Sequence, residues 1–366
     1  MPVAADLLVF LAAAAVSLCA SYLVVTRLER IGERLGLSEG LLGVLAALAG
    51  DAPEITSAVT ALALGQAQVG AGVVIGSNVF NLAALLGLGA VVAGHIALHR
   101  KVVLLGGVVG AWVAVVCLAM VLGLIPAGAA LAAVLAALVP YLVLLGAGRA
   151  RLAGIPLAKR WGSWLAVAVS EEEAELEEVI HPRHGRGRDA GLAVAALGVV
   201  VAASVVMERA AVLLGAAFAV PQIITGGVVL AAVTSLPNSV AAVYLAARGR
   251  GAAMLSTTLN SNALNVTAGL LLPATITGLG APSGPSNLIA VWYLVLTLVA
   301  LAFSYRDSGM SRATGALIIG AYLVFLGSLW IVAHSAEPRL AAAAVPLAVV
   351  VVCSAVGLTG RRRRLR

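Results

Sequence analysis

The chain has 366 residues, 62% of them hydrophobic and only 11% charged, with a mean hydropathy of +1.08. Soluble domains are about 45–50% apolar and about 25% charged, so the composition excludes a soluble enzyme, a nucleic-acid reader and a disordered scaffold. The net charge of +7 would suggest nucleic acid in a soluble chain; here it must be read loop by loop. What remains is an all-α polytopic membrane protein whose 40 glycines and 13 prolines suit transmembrane helices. Cys19, Cys117 and Cys353 all lie in apolar runs, which supports neither a disulfide framework nor a thiolate metal site.

A helix crosses the hydrocarbon with about 20 apolar residues. Runs of that length occur near 5–25, 39–64, 69–94, 101–122, 126–148, 189–208, 222–247, 252–279, 286–304, 311–333 and 339–358, predicting eleven spans. The first lacks a basic leader region and a clean small-residue cleavage site, and reads as a true span. Of the 23 Lys and Arg residues, 21 fall on one side if the N-terminus is outside; Arg209 and Arg339 fall on the other. The positive-inside rule then places the C-terminus in the cytoplasm, in a bacterial-type plasma membrane. The run Arg361–Arg364 with Arg366 reads as a topology anchor.

Residues 149–188 form the clear linker, with Trp161 and Trp164 beside an interfacial stretch. A capping-box spacing, Ser170 to Glu173, opens an acidic helix containing Glu171, Glu172, Glu173, Glu175, Glu177 and Glu178. With His181 and His184 just after it, this could sense a metal; a solvated helix between two halves is the simpler reading. The division is therefore 1–148, a first five-helix unit; 149–188, a cytoplasmic linker; 189–333, a second five-helix unit; and 334–366, an extra helix with a basic tail.

A shift of 184 aligns 43–86 with 227–270 without a gap, with 13 identities in 44 positions. They include Pro53/Pro237, Ser77/Ser261, Asn78/Asn262 and Asn81/Asn265. Span two runs inside to outside while its partner, span seven, runs the other way. Inverted repeats are a signature of secondary transporters, whose sites lie where corresponding Gly/Pro-interrupted helices meet. Those interruptions are Gly50-Asp51-Ala52-Pro53-Glu54 and Thr234-Ser235-Leu236-Pro237-Asn238.

Fourteen of the 16 acidic residues fall in loops, in the acidic linker or at span ends, leaving Asp51 and Glu54 in mid-membrane. No Lys or Arg lies inside any predicted span. Uncompensated intramembrane carboxylates mark ion pathways. Spaced i, i+3, the two project from one helical face. Pro53 and Pro237 cannot donate to the carbonyls of Ala49 and Val233, so both helices should open there and free backbone oxygens. The cage so drawn comprises Gly50, Asp51, Glu54, Ser77, Asn81, Thr234, Ser235, Asn238, Ser261 and Asn265, with Asn78 and Asn262 beside it. All its ligands are oxygens, which suits calcium or sodium rather than zinc or copper. The glycines Gly70, Gly72 and Gly76 read as helix packing, since no strand precedes them as in a nucleotide loop.

At these residues the chain resembles the calcium/cation antiporter superfamily, the sodium/calcium exchangers and their relatives. That family carries G-T-S-x-P-E followed by G-S-N-x-x-N/D in each inverted repeat. Ala52-Pro53-Glu54 with Gly76-Ser77-Asn78-x-x-Asn81 matches the first copy; Thr234-Ser235-Leu236-Pro237 with Ser261-Asn262-x-x-Asn265 matches the second. The resemblance implies that spans two, three, seven and eight enclose the ion sites and that a sliding bundle alternates access. Three features depart from the pattern: Asn238 replaces the second Glu, Asn265 stands where exchangers often carry Asp, and Asp51 stands where Ser is usual. In effect one carboxylate has crossed the interface. An eleventh span exceeds the family's ten.

These features together predict no enzyme and no cofactor, but a secondary antiporter exchanging calcium, or another hard divalent cation, for sodium. Two carboxylates repelling each other in low dielectric can retain a proton, so proton-coupled calcium/cation or sodium/proton antiport is the alternative. A non-transporting sensor or scaffold of the same fold is the alternative of another class. The expected partners are the lipid bilayer and inorganic cations, with no nucleic acid; nothing in the sequence sets an oligomeric state.

Overall fold

A computed structural model describes residues 3–35, 39–152, 188–306 and 308–334. In chain order the helices are α1 (Val3–Arg34), α2 (Glu39–Gly50), α3 (Ala52–Ala63), α4 (Ala67–Ala93), α5 (Arg100–Val121), α6 (Ala127–Leu152) and α7 (Arg188–Ala217). They continue as α8 (Gln222–Thr234), α9 (Leu236–Ala247), α10 (Gly251–Leu264), α11 (Leu272–Thr277), α12 (Gly284–Arg306) and α13 (Arg312–His334). Among the described residues, seven helices are individually long and apolar enough to span; α8 and α9, bent by 49° at Ser235, make an eighth. The candidate at 339–358 and most of the acidic linker lie outside the described residues.

The repeat of 184 residues reappears as geometry. Adding 184 to the ends of α3 gives the ends of α9, and the helix break moves from Asp51 to Ser235. Gly65 and Gly249, also 184 apart, both turn the chain with φ +76°, a left-handed conformation that glycine adopts without a Cβ clash. A π-turn over Leu82–Leu88 inside α4 has its counterpart over Asn265–Leu271, between α10 and α11. Such turns recur at functional sites because they re-aim side chains within a helix. A further π-turn, Thr225–Leu230 in α8, has no partner in α2. The chain is thus a polytopic helical protein of two inverted five-helix repeats.

The structure extends one predicted span and adds one small element to the all-α fold. The sixth span does not stop at residue 208: α7 carries on to Ala217, so Glu208 and Arg209 lie within a helix rather than at its end. Adjacent charges imitate a membrane boundary, but the apolar run resumes at Ala210 and the helix with it. The all-α expectation also omits a small two-stranded ribbon, β1 (His95–Ala97) and β2 (Gly309–Ser311). Its antiparallel register pairs His95 with Ser311, Ile96 with Met310 and Ala97 with Gly309. This clasp joins the end of α4 to the α12–α13 corner. Arg100 donates to Ser308 Oγ at 3.0 Å, and Arg312 donates to the Val91 carbonyl at 3.1 Å.

The core centres on α4, of which 94% of the most apolar stretch is buried, against 33% for α1 and for α7. What lets another helix so close is the absence of side chains. A Cβ on Gly76 would overlap the Gly227 carbonyl oxygen, and one on Gly226 would overlap that of Val69. Gly72 and Gly76 of α4 are therefore packing elements against α8, while Gly70 packs against Ala58 and Leu62 of α3. Overpacking costs about 1–3 kcal/mol where neighbours can yield, and here the neighbour is backbone. Gly76→Ala should therefore lower the thermal unfolding temperature in detergent and yield little monodisperse protein. Gly198→Ala, in α7 with nothing within 4 Å, should behave as wild type.

Candidate cation site

The site is built where two helices stop and restart. Asp51 closes α2 and opens α3 with φ −80° and ψ −5°; Pro53 sits in the first turn of α3, where its missing N–H has no intrahelical partner to lose. The Asp51 carbonyl then accepts from Ile55 N at 2.9 Å, restarting the helix. Ser235 and Pro237 repeat this in the second half, where the Ser235 carbonyl accepts from Ser239 N at 3.0 Å. Both breaks put the carbonyl end of one half-helix beside the amide end of the next, deep in the bundle.

Asp51 and Glu54 are 0% exposed. Both carboxylates come from the first half, and four side-chain donors reach them from the second. Asp51 Oδ1 accepts from Asn238 Nδ2 at 2.6 Å and from Ser261 Oγ at 2.7 Å. Glu54 Oε1 accepts from Ser235 Oγ, and Glu54 Oε2 accepts from Asn265 Nδ2. The pairing is crossed: Ser235 is the counterpart of Asp51 but holds Glu54, while Asn238 is the counterpart of Glu54 but holds Asp51.

Around this sits a ring of amides. Asn78 Nδ2 donates to the Asn262 carbonyl at 2.9 Å, and Asn262 Nδ2 returns the bond to the Asn78 carbonyl at 3.2 Å. These residues are 184 apart, so the reciprocal bond marks the local twofold axis between α4 and α10. Asn81 Nδ2 reaches Asn262 Oδ1 at 3.1 Å and Ser261 Oγ at 3.4 Å. Ser77 and Thr234 turn their hydroxyl protons back onto their own helices, to the carbonyls of Val73 (2.5 Å) and Leu230 (2.9 Å). Gly50 makes room: a Cβ there would lie 2.5 Å from Asn238 Oδ1.

Eight of the ten residues expected to form the cage are thus tied together by hydrogen bonds or close approach across the two breaks and the facing helices α4 and α10, and Ser77 stands beside Asn78 on α4. Thr234 joins through the chain, next to Ser235. The freed carbonyl of Ala49 is less available than expected, because Ser21 of α1 donates to it at 2.9 Å. Sequence reasoning does not single out Ser21, nor Ser17 and Ser204, whose hydroxyls meet at 2.9 Å between α1 and α7. The i, i+4 spacing of Ser17 and Ser21 in an otherwise apolar helix is the signal that could have found them.

Three oxygens here are buried with no hydrogen-bond partner among the described residues: Asp51 Oδ2, Asn81 Oδ1 and Asn265 Oδ1. No ion pair to Asp51 or Glu54 occurs among those residues either; Arg27 and Arg30 pair elsewhere, with Asp189. Two carboxylates with surplus acceptors and no positive partner among the described residues form an environment fitted to a hard cation. No group of three or more His, Cys, Asp or Glu exists among the described residues, so a transition-metal centre is not supported.

Fold and site define a membrane protein with an intramembrane carboxylate pair at the meeting of inverted, broken helices. The family model described as sodium/calcium exchanger protein matches residues 6–147 and 190–331. The chain belongs to that family. It is 31% identical over 120 residues to sodium/potassium/calcium exchanger 2 of Gallus gallus, a match covering 31% of this chain and 18% of that protein. Among solved structures, the H+/Ca2+ exchanger CAX aligns with a TM-score of 0.69 at 14% identity, covering 98% of this chain and 90% of its own. The sodium-calcium exchanger NCX_Mj, soaked with 10 mM Na+ and zero Ca2+, aligns at 0.54 and 19% identity, covering 89% and 99%. These two likenesses speak to the fold.

Charge-assisted hydrogen bonds contribute about 1.5–3 kcal/mol. Replacing Asn265 with Leu, of similar size, removes a donor to Glu54 and should destabilise the ion-free protein by about that amount, read from thermal or denaturant unfolding.

Proposed function

We propose that the chain is a secondary antiporter that exchanges calcium, or another hard divalent cation, for sodium by alternating access, with Asp51 and Glu54 as its anionic ligands. The observation carrying this reading is the pair itself: two fully buried carboxylates from one half, held by four donors from the other, with acceptor oxygens left over. Asn81, Asn265, Ser77, Thr234, Ser235, Asn238 and Ser261, with backbone oxygens near Gly50, would supply the neutral ligands. Family membership and the exchangers named above support calcium antiport; sodium rather than proton as counter-ion is the finer part of the proposal. The membrane would hold the N-terminus outside, and no cofactor would be needed beyond the transported ions.

The test is flux of radioactive calcium into liposomes carrying the purified protein, under an imposed sodium gradient or a proton gradient. Uptake driven by sodium supports the reading; uptake driven only by protons replaces the counter-ion, and uptake under neither favours a non-transporting membrane sensor. Glu54→Gln halves the charge of the site at almost constant shape and should abolish the flux. Asp51→Ser should do the same unless Asn238→Glu is added, which returns the second carboxylate from the opposite half. A double variant no better than Asp51→Ser alone would refute the idea that a carboxylate changed sides.

The cage carries a charge of about −2. Loading it beyond neutrality in low dielectric costs several kcal/mol unless dipoles compensate. One divalent ion should therefore exchange for two monovalent ions. A surplus charge would couple to voltage at about 2.3 kcal/mol per 100 mV. On a solid-supported membrane the transport current should be small; a current reversing at the potential set by three sodium ions per calcium would contradict this stoichiometry.

A further inference from the structure

Outside the cage one further acid is buried with nothing to hold it. Glu208 of α7 is 0% exposed, and neither carboxylate oxygen has a hydrogen-bond partner among the described residues. Its level in the bundle follows from contacts between α1 and α7. Ser21 donates to the Ala49 carbonyl beside the cage. One helical turn along α1, Ser17 meets Ser204 of the antiparallel α7; one turn further in the same direction stands Glu208. At 1.5 Å per residue, Glu208 lies about 12 Å beyond the level of Ser21. The Arg27–Asp189 ion pair, at 2.8 Å, closes the opposite end of the same helix pair, about 28 Å from Glu208 along α7. Ser17, Ser21, Ser204 and Glu208 are all 0% exposed, so a covered polar stripe leads from the level of the cage to this acid.

A carboxylate in such a place, with no hydrogen-bond donor among the described residues and only the exposed Arg209 as a neighbouring charge, is disfavoured in its ionised form. A metal cation would need several oxygens around it, and among the described residues no group of three His, Cys, Asp or Glu side chains gathers there. A proton needs only the carboxylate. We infer that Glu208 is a proton-binding station of the α1–α7 pair, neutral while the pair is packed as here and ionised when movement of the pair opens its level to water. The proton comes from bulk water and returns to it. The elements packed against α7 are α1, α3 and the first turns of α8. Beyond the Arg27 and Arg30 bridge, their titratable groups along this reach are Asp6 and the exposed Cys19 and Tyr22 of α1 and Glu54 of α3; α8 has none. Arg209, next in sequence, is exposed. Protonation on that side of the membrane would thus favour the packed arrangement over the hydrated one.

The bound proton can be tested independently of the antiport reading, on which only the flux measurement rests. Infrared difference spectra of the full chain in lipid at neutral pH, wild type minus Glu208→Gln, should show the carbonyl stretch of a neutral carboxylic acid. Carboxylate bands alone would overturn the inference. If the Gln variant does not fold, Glu208→Asp keeps the acid, and its difference from wild type should show the neutral-acid carbonyl band shifted in frequency. In liposomes, the pH dependence of calcium exchange should change by about tenfold across the titration of Glu208 in wild type and by less than about twofold in Glu208→Gln. Matching profiles would refute any link to movement. If no variant or wild type carries calcium, the antiport reading fails while the infrared result still decides the proton.

Discussion

The structure turns on one electrostatic constraint: two carboxylates buried in an apolar bundle, with no positive residue paired to them among the described residues. Taking a carboxylate out of water costs several kcal/mol even after relaxation, and Asp51 and Glu54 impose that cost side by side. What offsets it arrives from elsewhere in the chain. Four donors from the second half reach across, and two helices are broken to present their carbonyl and amide ends at the same level. The glycines of α4 and α8 let the halves approach until those donors are in range. With a Cβ at Gly76 or Gly226 the two helices would be pushed apart, and hydrogen bonds of 2.6–2.7 Å to Asp51 would not survive the shift. Close packing here serves the charge.

Against this tight centre, α1 and α7 are attached differently. They pack mainly along each other, bound by Ser17–Ser204 and by the Arg27–Asp189 pair. Where they meet the α2–α3 break, the buried cluster is Ala20, Val24, Ala49, Ala52, Ala196 and Val200. The hydrogen bonds from α1 into the core are few, that from Ser21 to the Ala49 carbonyl among them. A helix pair attached in this way fits the alternating access proposed above, in which the cage's access to water changes while its ligands stay in place.

Much of this was legible in the sequence because membranes penalise exceptions. Within long apolar runs a Pro, a carboxylate or an Asn has no cheap place, so Asp51, Pro53, Glu54 and their counterparts stand out at once, and the spacing of 184 ties them together. Hydrogen-bond direction was not legible. Nothing in the order of residues says that Ser235 holds Glu54 while Asn238 holds Asp51, since that depends on how two helices cross. Glu208 is misplaced for a related reason. Beside Arg209 it imitates a membrane boundary, and only the course of α7 shows that the helix continues past it. The β1–β2 clasp was hidden because three residues from segments over 200 apart leave no local pattern.

The crossed pairing also explains why the two halves, so alike in backbone, differ in charge. Suppose the second half repeated the first, with an aspartate in place of Ser235 and a glutamate in place of Asn238. Asp51 would then face the new glutamate, and Glu54 the new aspartate, at distances now occupied by hydrogen bonds. Four carboxylates would share one dry cavity with only Ser261, Asn265 and the amide ring as donors, and like charges that close cannot all stay ionised. Placing both acids in one half and Ser235 and Asn238 in the other converts each repulsion into a hydrogen bond. On the proposed reading the full charge of one divalent ion remains, and the cost of leaving the cage empty between ions falls. An exchanger passes through that empty state or one close to it in every cycle, so a cage tolerable without its ion is as much a requirement as one that binds it.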